Sequence, residues 1–419
     1  MDYQSVSRKQ VLFVSERMPK KNSSGAESYN WSVFSALQEA DCRISFLLTG
    51  DYFSSPIFNE KILKALCAEC VFLQKYKKIG PLYFATTLKA YLRPFKRLLS
   101  FFSKNNYRDN DLTLKIGKYA DLNGLAKLIP KIREKKFDIV FVDTLFRTPV
   151  LDLLPDMYKV LVAHDVFHRR CASFKSNGYR VEPDLDEKLE SIFWRKYDFI
   201  LSINSLEKDV ISNIVPEIKI QTFYPTSVSC VEPIKSFSSE LEPRLLYMGA
   251  DAHHNRDGLR WFFDTVWPEI LLKQPNVYLE VIGDIANSFK YPIENVNFHG
   301  RVDDVTKIAA ACLFAINPVR MGSGIKIKMV DYFNLGLPCV TTEIGAYGFP
   351  LNESTPFVAC TDANQFLFVV NDWLKDPNVV EKFNSGTHQY AELFSPSTAL
   401  GVMNEVLESG DSNCMDARS

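Results

Sequence analysis

Net charge is nearly absent from this chain: 49 lysines and arginines stand against 50 aspartates and glutamates, leaving -1. A nucleic-acid binder would carry a basic excess, so no nucleic-acid partner is expected. Long apolar runs are missing too. A membrane-crossing helix needs about 20 consecutive apolar residues, and no such stretch occurs. Met1 to Gln10 is polar and lacks the apolar core of a signal peptide. These absences give the expectation of a cytoplasmic protein, with peripheral attachment to the inner membrane face left open. The nine cysteines are scattered and odd in number, which fits a reducing compartment better than a disulfide framework. Cys67 and Cys70 form a lone C-x-x-C with no second pair, so a zinc ribbon is not expected and both read as packing residues. No phosphate-loop lysine motif, nucleophile elbow or zinc-peptidase motif is present. No Gly-x-Gly-x-x-Gly follows the first apolar run, which argues against a dehydrogenase.

What the chain does have is alternation. At 419 residues and 46% hydrophobic composition it can fill two or three ordinary cores. Val11 to Val14, Ile44 to Leu48, Phe137 to Val142, Lys159 to Ala163 and Phe199 to Ile203 are short apolar runs that read as strands. A helical pattern over Glu27 to Ala40 puts Tyr29, Val33, Phe34 and Leu37 on one face, and another helix ends near Lys136. The rhythm weakens over Tyr224 to Leu241, a stretch with prolines and serines that reads as a connection between domains. It then resumes. Strands are expected at Arg244 to Met248, Val277 to Ile282, Val296 to Gly300, Leu313 to Asn317, Pro338 to Thr342 and Phe357 to Ala359. Helices are expected at Asp257 to Leu272, Asp303 to Ala311, Ala363 to Lys375 and Val379 to Leu393. A last helix runs from an N-cap at Ser397 to about Leu407, before a polar tail from Ser409 expected to fray. Two doubly wound α/β halves follow, over 1–235 and 236–395, with 396–419 packing back on the first half. In such sheets ligands sit at the carboxyl ends of strands. Gly25, His164, Gly249, Gly283 and Gly322 to Lys326 all fall there, and a shared cleft would unite them.

The most informative stretch is Arg320-Met321-Gly322-Ser323-Gly324-Ile325-Lys326-Ile327-Lys328-Met329-Val330-Asp331, with Gly336-Leu337-Pro338 beyond it. Read physically it is a loop, a helix opening near residue 324, a C-cap and a strand. The glycines let backbone N–H groups approach an anion, and the helix start adds partial positive charge. A diphosphate suits that helix start, and Asp331, two turns deeper, suits vicinal hydroxyls. Lys326 and Lys328 are two apart and cannot share a helix face, so one of them reads as a solvent-facing lysine. His164 is open to three readings: a sugar-site group, a core histidine, or a metal ligand with Asp165 and His168. Asp165 is a candidate to orient it. His253-His254 read as loop residues, and Glu343 as a loop residue within reach of a donor. Between Gln74 and Arg108, nine basic residues and eight aromatics interleave without one acid. This reads either as a basic amphipathic helix on an anionic membrane surface or as a helix packed on the first domain.

The motifs Tyr247-Met248-Gly249, Val281-Ile282-Gly283, Phe298-His299-Gly300-Arg301-Val302 and Asn317-Pro318, with the glycine loop through Gly345, resemble the group 1 glycosyltransferases. This family is also called glycosyltransferase family 4 and has the GT-B fold, two Rossmann-like domains facing across a cleft. The first half resembles its acceptor-side domain through Gly25 and Ala163-His164-Asp165. The resemblance implies transfer of a hexose-type sugar, with retention, from a nucleotide-diphosphate sugar to a glycan or lipid-linked acceptor, without a metal or other cofactor. It places Asp331 on the ribose hydroxyls, His164 near the transferred sugar and Gly25 near the donor phosphate or the acceptor. Gly249, Gly283, Gly322, Ser323, Gly324 and Ile325 line the donor. The family's first motif glutamate falls at Ser323, and backbone N–H groups of Ser323 to Ile325 are expected to take its contact. The family's arginine falls at Ala250 and its lysine near Asn255-Arg256, so the positive charge for the leaving group is assigned to Lys326 first, then Arg256, Arg320 and Lys328. Two other readings stay open: a nucleotide-sugar epimerase of the same fold, and a binding protein with a degenerate site.

Overall fold

The computed structural model describes residues 8–20, 25–50, 56–61, 69–88, 90–92, 113–226, 242–289 and 291–416. They fall into two compact units: one comprises residues up to Ile203, Lys208–Phe223 and Leu400 onward, the other Asn204–Glu207 and Tyr224–Ala399. The expected interdomain junction at 235/236 lies outside the described residues.

The strands in chain order are β1 (Gln10–Ser15), β2 (Arg43–Leu48), β3 (Ile57–Asn59), β4 (Cys70–Leu73), β5 (Tyr76–Ile79), β6 (Leu82–Ala85), β7 (Thr113–Lys115), β8 (Ile139–Asp143) and β9 (Tyr158–Ala163). They continue with β10 (Arg180–Glu182), β11 (Phe199–Ser202), β12 (Lys219–Thr222), β13 (Arg244–Met248), β14 (Tyr278–Ile282), β15 (Val296–Gly300), β16 (Phe314–Asn317), β17 (Cys339–Thr342) and β18 (Phe357–Cys360).

The first unit is built on a parallel sheet of order β12-β11-β9-β8-β1-β2-β4. Its central strands are apolar on both faces because helices cover both. Leu12, Val14, Val140, Val142, Leu161 and Ile200 form one core with Ile132, Trp194 and Ile211. Each such side chain contributes about 1.5–3 kcal/mol by leaving water. The second unit has a parallel sheet of order β15-β14-β13-β16-β17-β18. Leu245, Tyr247, Leu279, Val281, Phe314 and Ile316 pack there against Leu259, Phe262, Val266, Trp267, Phe366 and Trp373. Both sheets start in the middle and reverse direction once. The reversal lies between β1 and β8 in the first unit and between β13 and β16 in the second. Such a switch point leaves a crevice at the strand ends where ligands bind.

Several expected elements shift. The helix placed at Asp257–Leu272 begins at His253, so His253 and His254 lie in its first turn rather than in a loop. It carries a π-helical turn at Phe262–Val266 and ends at Lys273. That wider turn lets Phe262, Phe263, Val266 and Trp267 all be buried. The helix of 303–311 shrinks to Thr306–Ala309. The last helix runs Pro396–Asp416, capped by Ser395 and not Ser397, with Thr398 N donating to Ser395 Oγ at 3.2 Å. The tail expected to fray is helical from Ser409 to Asp416, because Lys219 reaches Ser409 Oγ at 2.7 Å and Lys9 pairs with Asp411 at 2.7 Å. Tyr76–Ala85 is an antiparallel hairpin rather than a basic helix, since Gly80 (φ +57°) and Pro81 force a turn between β5 and β6. Lys75 and Lys78 are paired there with Asp121 and Glu60. Lys89 and residues 93–108, with most of the basic cluster, lie outside the described residues, as does Cys67.

Candidate functional site

At the switch point of the second unit, β13 ends at Met248, and Gly249 turns the chain by donating its N–H to Ile282 O at 2.9 Å. Gly283 stands beside it with φ +110°, and a Cβ there would lie 2.2 Å from Gly249 O. Only glycine fits. Tyr332 Oη receives the Met248 N–H at 2.8 Å and ties the helix Ile327–Asn334 to this strand end. From the same helix Lys328 reaches into the recess. Its Nζ donates to Asn255 Oδ1 at 2.7 Å and to Tyr247 Oη at 3.1 Å, and lies 4.4 Å from the Tyr247 ring centroid. Both partners are neutral. Close packing, reinforced by the charge of Lys326, pulls the Lys328 ammonium down to about 7. Lys328 is therefore not a solvent-facing lysine. The face argument fails because Lys326 is the N-cap, outside the helix, and is itself buried.

The helix opens at Ile327, three residues later than expected, so Asp331 lies about one turn in and is half-buried. Before it, Gly322 (φ +108°) and Gly324 (φ +70°) curl the loop through the left-handed region. Lys326 Nζ donates to Ser323 O at 3.1 Å and Gly324 O at 2.7 Å, so this cation braces the loop from within. The Gly324 N–H, expected to serve the donor sugar, is donated to Glu207 Oε1 at 3.0 Å. The loop does attract an anion, and at this position the anion is a side chain of the same unit. Ser323 and Ile325 flank that contact, with Ile325 buried. Two candidate cations are already neutralised. Arg256 pairs with Asp251 at 2.8 Å, and Arg320 makes a bidentate pair with Asp257 while lying over the Trp261 ring. Glu343 lies in the short helix Glu343–Ala346 rather than in a loop.

The switch point of the first unit holds a separate polar cluster. Ser15, ending β1, donates its hydroxyl to Asp143 Oδ2 at 2.7 Å across to the end of β8. His164 follows β9, and its Nε2 lies 2.8 Å from Asp143 Oδ1 and 3.1 Å from Asn30 Oδ1. Tyr29 meets the imidazole edge-on, with ring centroids 5.0 Å apart. Tyr29 and Asn30 come from the helix Gly25–Glu39, so Gly25 begins the helix that supplies two walls of the cluster. Burial pushes the Asp143 carboxyl up, but His164 and the hydrogen bonds of Ser15 and Asn30 outweigh it and hold it below the usual carboxylate range. Asp165 does not orient His164; it is held by Arg170. His168 turns away to Glu190 at 2.8 Å. Among the described residues no group of three His, Cys, Asp or Glu side chains could hold a metal ion.

Asp143, Asn30 and Glu207 did not stand out in the sequence, since each gains its partner only through the fold. Asp143 carried one faint signal, a carboxylate ending an otherwise apolar strand.

Two parallel sheets with these switch points define the class: the fold is that of the GT-B glycosyltransferases. Sucrose-phosphate synthase from Thermosynechococcus elongatus superposes with a TM-score of 0.65 at 13% identity, over 98% of this chain and 100% of that one. The pneumococcal O-GlcNAc transferase GtfA, in complex with UDP and GlcNAc, gives 0.62 at 12% identity over 96% and 99%. Anabaena HepE, in complex with UDP and glucose, gives 0.59 at 12% identity over 96% and 100%. At such identities the likeness shows the fold alone. By sequence, residues 242–376, in the second unit, match the model of the group 1 glycosyl transferases. An uncharacterized 44.6 kDa protein in the cps region of Klebsiella pneumoniae is 22% identical over 275 residues, 57% of this chain and 69% of that protein.

Proposed function

We propose that this chain is a glycosyltransferase that moves a hexose-type sugar from a nucleotide-diphosphate-sugar donor to a glycan or lipid-linked acceptor, with retention, in building a polysaccharide or glycoconjugate. One observation carries the reading: in a stretch that matches the group 1 glycosyl transferase model, the Lys328 ammonium stands at the switch point with Asn255 and Tyr247 as its hydrogen-bond partners among the described residues. A cation so placed is completed by an anion, and a diphosphate at the start of the helix Ile327–Asn334 supplies one. Lys328 takes first place among the cations, because Arg256 and Arg320 are spent on aspartates and Lys326 on loop carbonyls. Asp331 is assigned to the ribose hydroxyls, and Gly249, Gly283 and the 322–325 loop shape the recess. In the reaction the bond from the sugar anomeric carbon to the diphosphate breaks and a bond to the acceptor oxygen forms on the same face. The acceptor proton leaves on the departing phosphate, whose charge Lys328 stabilises. No metal or cofactor takes part in this scheme.

The UDP in HepE and GtfA supports the choice of donor class, and the cps-region relative supports polysaccharide synthesis. A lipid-linked acceptor would bring the basic stretch 74–108 to an anionic surface, although Lys75 and Lys78 already have acidic partners. Thermal melts with UDP, GDP and ADP test donor binding. A ligand at 100 times its Kd adds about 2.7 kcal/mol, enough to move the melting point by several degrees. At least one diphosphate is expected to do so in the wild type, and none in Lys328→Met. If no diphosphate shifts the wild-type melt, the reading fails.

A further inference from the structure

Three helices of the first unit leave an open cavity of about 370 Å³ between them. They are Phe167–Ser176, Glu187–Trp194 and Ser205–Ile214, and the lining falls entirely within that unit. Ligand sites run from roughly 300 to 1,000 Å³, so a small ligand fits this one. Its lining residues are not those of either switch-point cluster. His168 enters it from the first turn of its helix. The buried Glu190 fixes the ring: its carboxylate takes the Phe167 N–H, the His168 N–H and the His168 ring nitrogen Nδ1, each at 2.8 Å. A carboxylate seated on a helix N-terminus is an acceptor only, so Nδ1 carries the ring proton. Nε2 is then the lone-pair nitrogen, on the ring edge turned away from Glu190, and among the described residues it makes no hydrogen bond. The side chain is 15% exposed, so a ligand in the cavity can reach it.

The other polar groups of the cavity add an independent observation. Arg169 and Glu187 are exposed, opposite in charge and line the same space, yet they do not pair with each other. Asn213 joins them there. Among the described residues none of these three side chains makes a hydrogen bond or an ion pair. Val210 and Ile214, four apart on one helix face, supply an apolar strip beside them. This lining excludes several kinds of ligand. Glu187, with Glu190 behind the histidine, opposes an anion, and Arg169 opposes a cation. Among the described residues no group of three His, Cys, Asp or Glu side chains could hold a metal ion. A wholly apolar ligand would cover Nε2 and the Asn213 amide and leave both unpaired. A sugar ring suits what remains. Its C–H face can lie on the apolar strip, and each hydroxyl both donates and accepts, so one can bridge Arg169 and Glu187.

We propose that the first unit carries a saccharide-binding site of its own between these three helices, taking a neutral sugar ring. One hydroxyl donates to His168 Nε2, others lie between Arg169 and Glu187, and the Asn213 amide closes the rim. Glu190 is a positioning residue that keeps the lone pair on Nε2. Binding here makes and breaks no covalent bond. The site stands apart from the functional reading above, because it uses neither Lys328 nor a nucleotide. An open cavity covers only part of its ligand, so millimolar affinity for a single sugar is expected.

The test is ring-nitrogen NMR on the full-length, 15N-labelled protein, which has six histidines. The His168 signals are assigned by their loss in His168→Gln. The probes are the methyl glycosides of glucose, galactose, mannose and N-acetylglucosamine, with maltose, lactose and the anionic methyl glucuronide. Expected in the free protein is a protonated Nδ1 and a lone-pair Nε2. At least one neutral saccharide is expected to move the Nε2 signal in a saturable way, and the glucuronide to bind more weakly than that saccharide. Glu187→Ala and Asn213→Ala, at exposed helical positions, should each weaken it roughly tenfold, the worth of one good hydrogen bond. Neither should alter the shift of the melt by a nucleoside diphosphate. Four results overturn the proposal: a free protein with the proton on Nε2, no movement with any neutral saccharide, tighter binding of the glucuronide than of every neutral sugar, or a movement that both variants leave untouched. Should His168→Gln fail to fold, calorimetric titration of the same saccharides into the wild type, Glu187→Ala and Asn213→Ala decides instead, and equal affinity in all three, or no binding, overturns the site. If no diphosphate binds the wild type, the functional reading falls and these titrations still decide the cavity. If no saccharide binds, the site falls and the donor melts still decide the function.

Discussion

Lys328 is the residue on which the proposed donor binding turns, and its charge state makes that role measurable. Packing and the neighbouring Lys326 lower its pKa from 10.5 to about 7. The unfolded chain holds this proton up to about pH 10.5 while the folded one begins to lose it near pH 7, so the lysine opposes folding when charged and stability rises with pH between those values. A bound diphosphate reverses the preference by favouring the ammonium. Nucleoside-diphosphate affinity is therefore expected to weaken from pH 7 to pH 9, by up to about tenfold per unit, with proton uptake on binding. Diphosphate ionisation is essentially complete in that window and adds little. Calorimetry in buffers of different ionisation enthalpy reads both quantities. Lys328→Met should flatten the dependence; a pH-independent wild-type affinity would contradict the role given to Lys328.

At the scale of elements, the second unit depends on tight turns at its strand ends. Gly283, at φ +110° with Gly249 O only 2.2 Å from any Cβ, joins β14 to the chain beyond it. Gly283→Ala is expected to cost more than about 2 kcal/mol in urea unfolding, the sum of backbone strain and a steric clash. A change within about 0.5 kcal/mol would show that the turn relaxes freely. This glycine was legible in the sequence, as were β1, β2, β8, β9, β11 and all six strands of the second sheet, because parallel strands are apolar throughout and end at glycine or polar residues; β3 to β7, β10 and β12, short or at sheet edges, were not. The helix Ile327–Asn334 was legible in kind but not in start. Its true N-cap is a lysine, which no capping preference marks. The hairpin Tyr76–Ala85 was read as helix because lysines and aromatics alternate there in a way that suits either; Gly80-Pro81 was the signal that should have decided it.

At the scale of the whole molecule, each unit repeats one plan: a parallel sheet that reverses direction once, with polar residues gathered at the reversal. The alternation of elements announced that plan, and the glycine loop with Asp331 marked the proposed donor side. The contacts that complete each cluster were not legible. Ser15 and Asp143 are 128 positions apart, and Glu207 and Gly324 are 117 apart, so only the folded chain pairs them. The central claim is sugar transfer, and its most direct measurement is product analysis after incubation with a panel of nucleotide sugars, by mass spectrometry and anomeric-proton NMR. The expected result is release of the nucleoside diphosphate from at least one donor, with the sugar appearing on water or an added glycan and its anomeric configuration kept. Lys328→Met and Asp331→Ala should lose this turnover. Conversion of the donor to an isomeric nucleotide sugar without diphosphate release, or no consumption of any donor that binds, would contradict it.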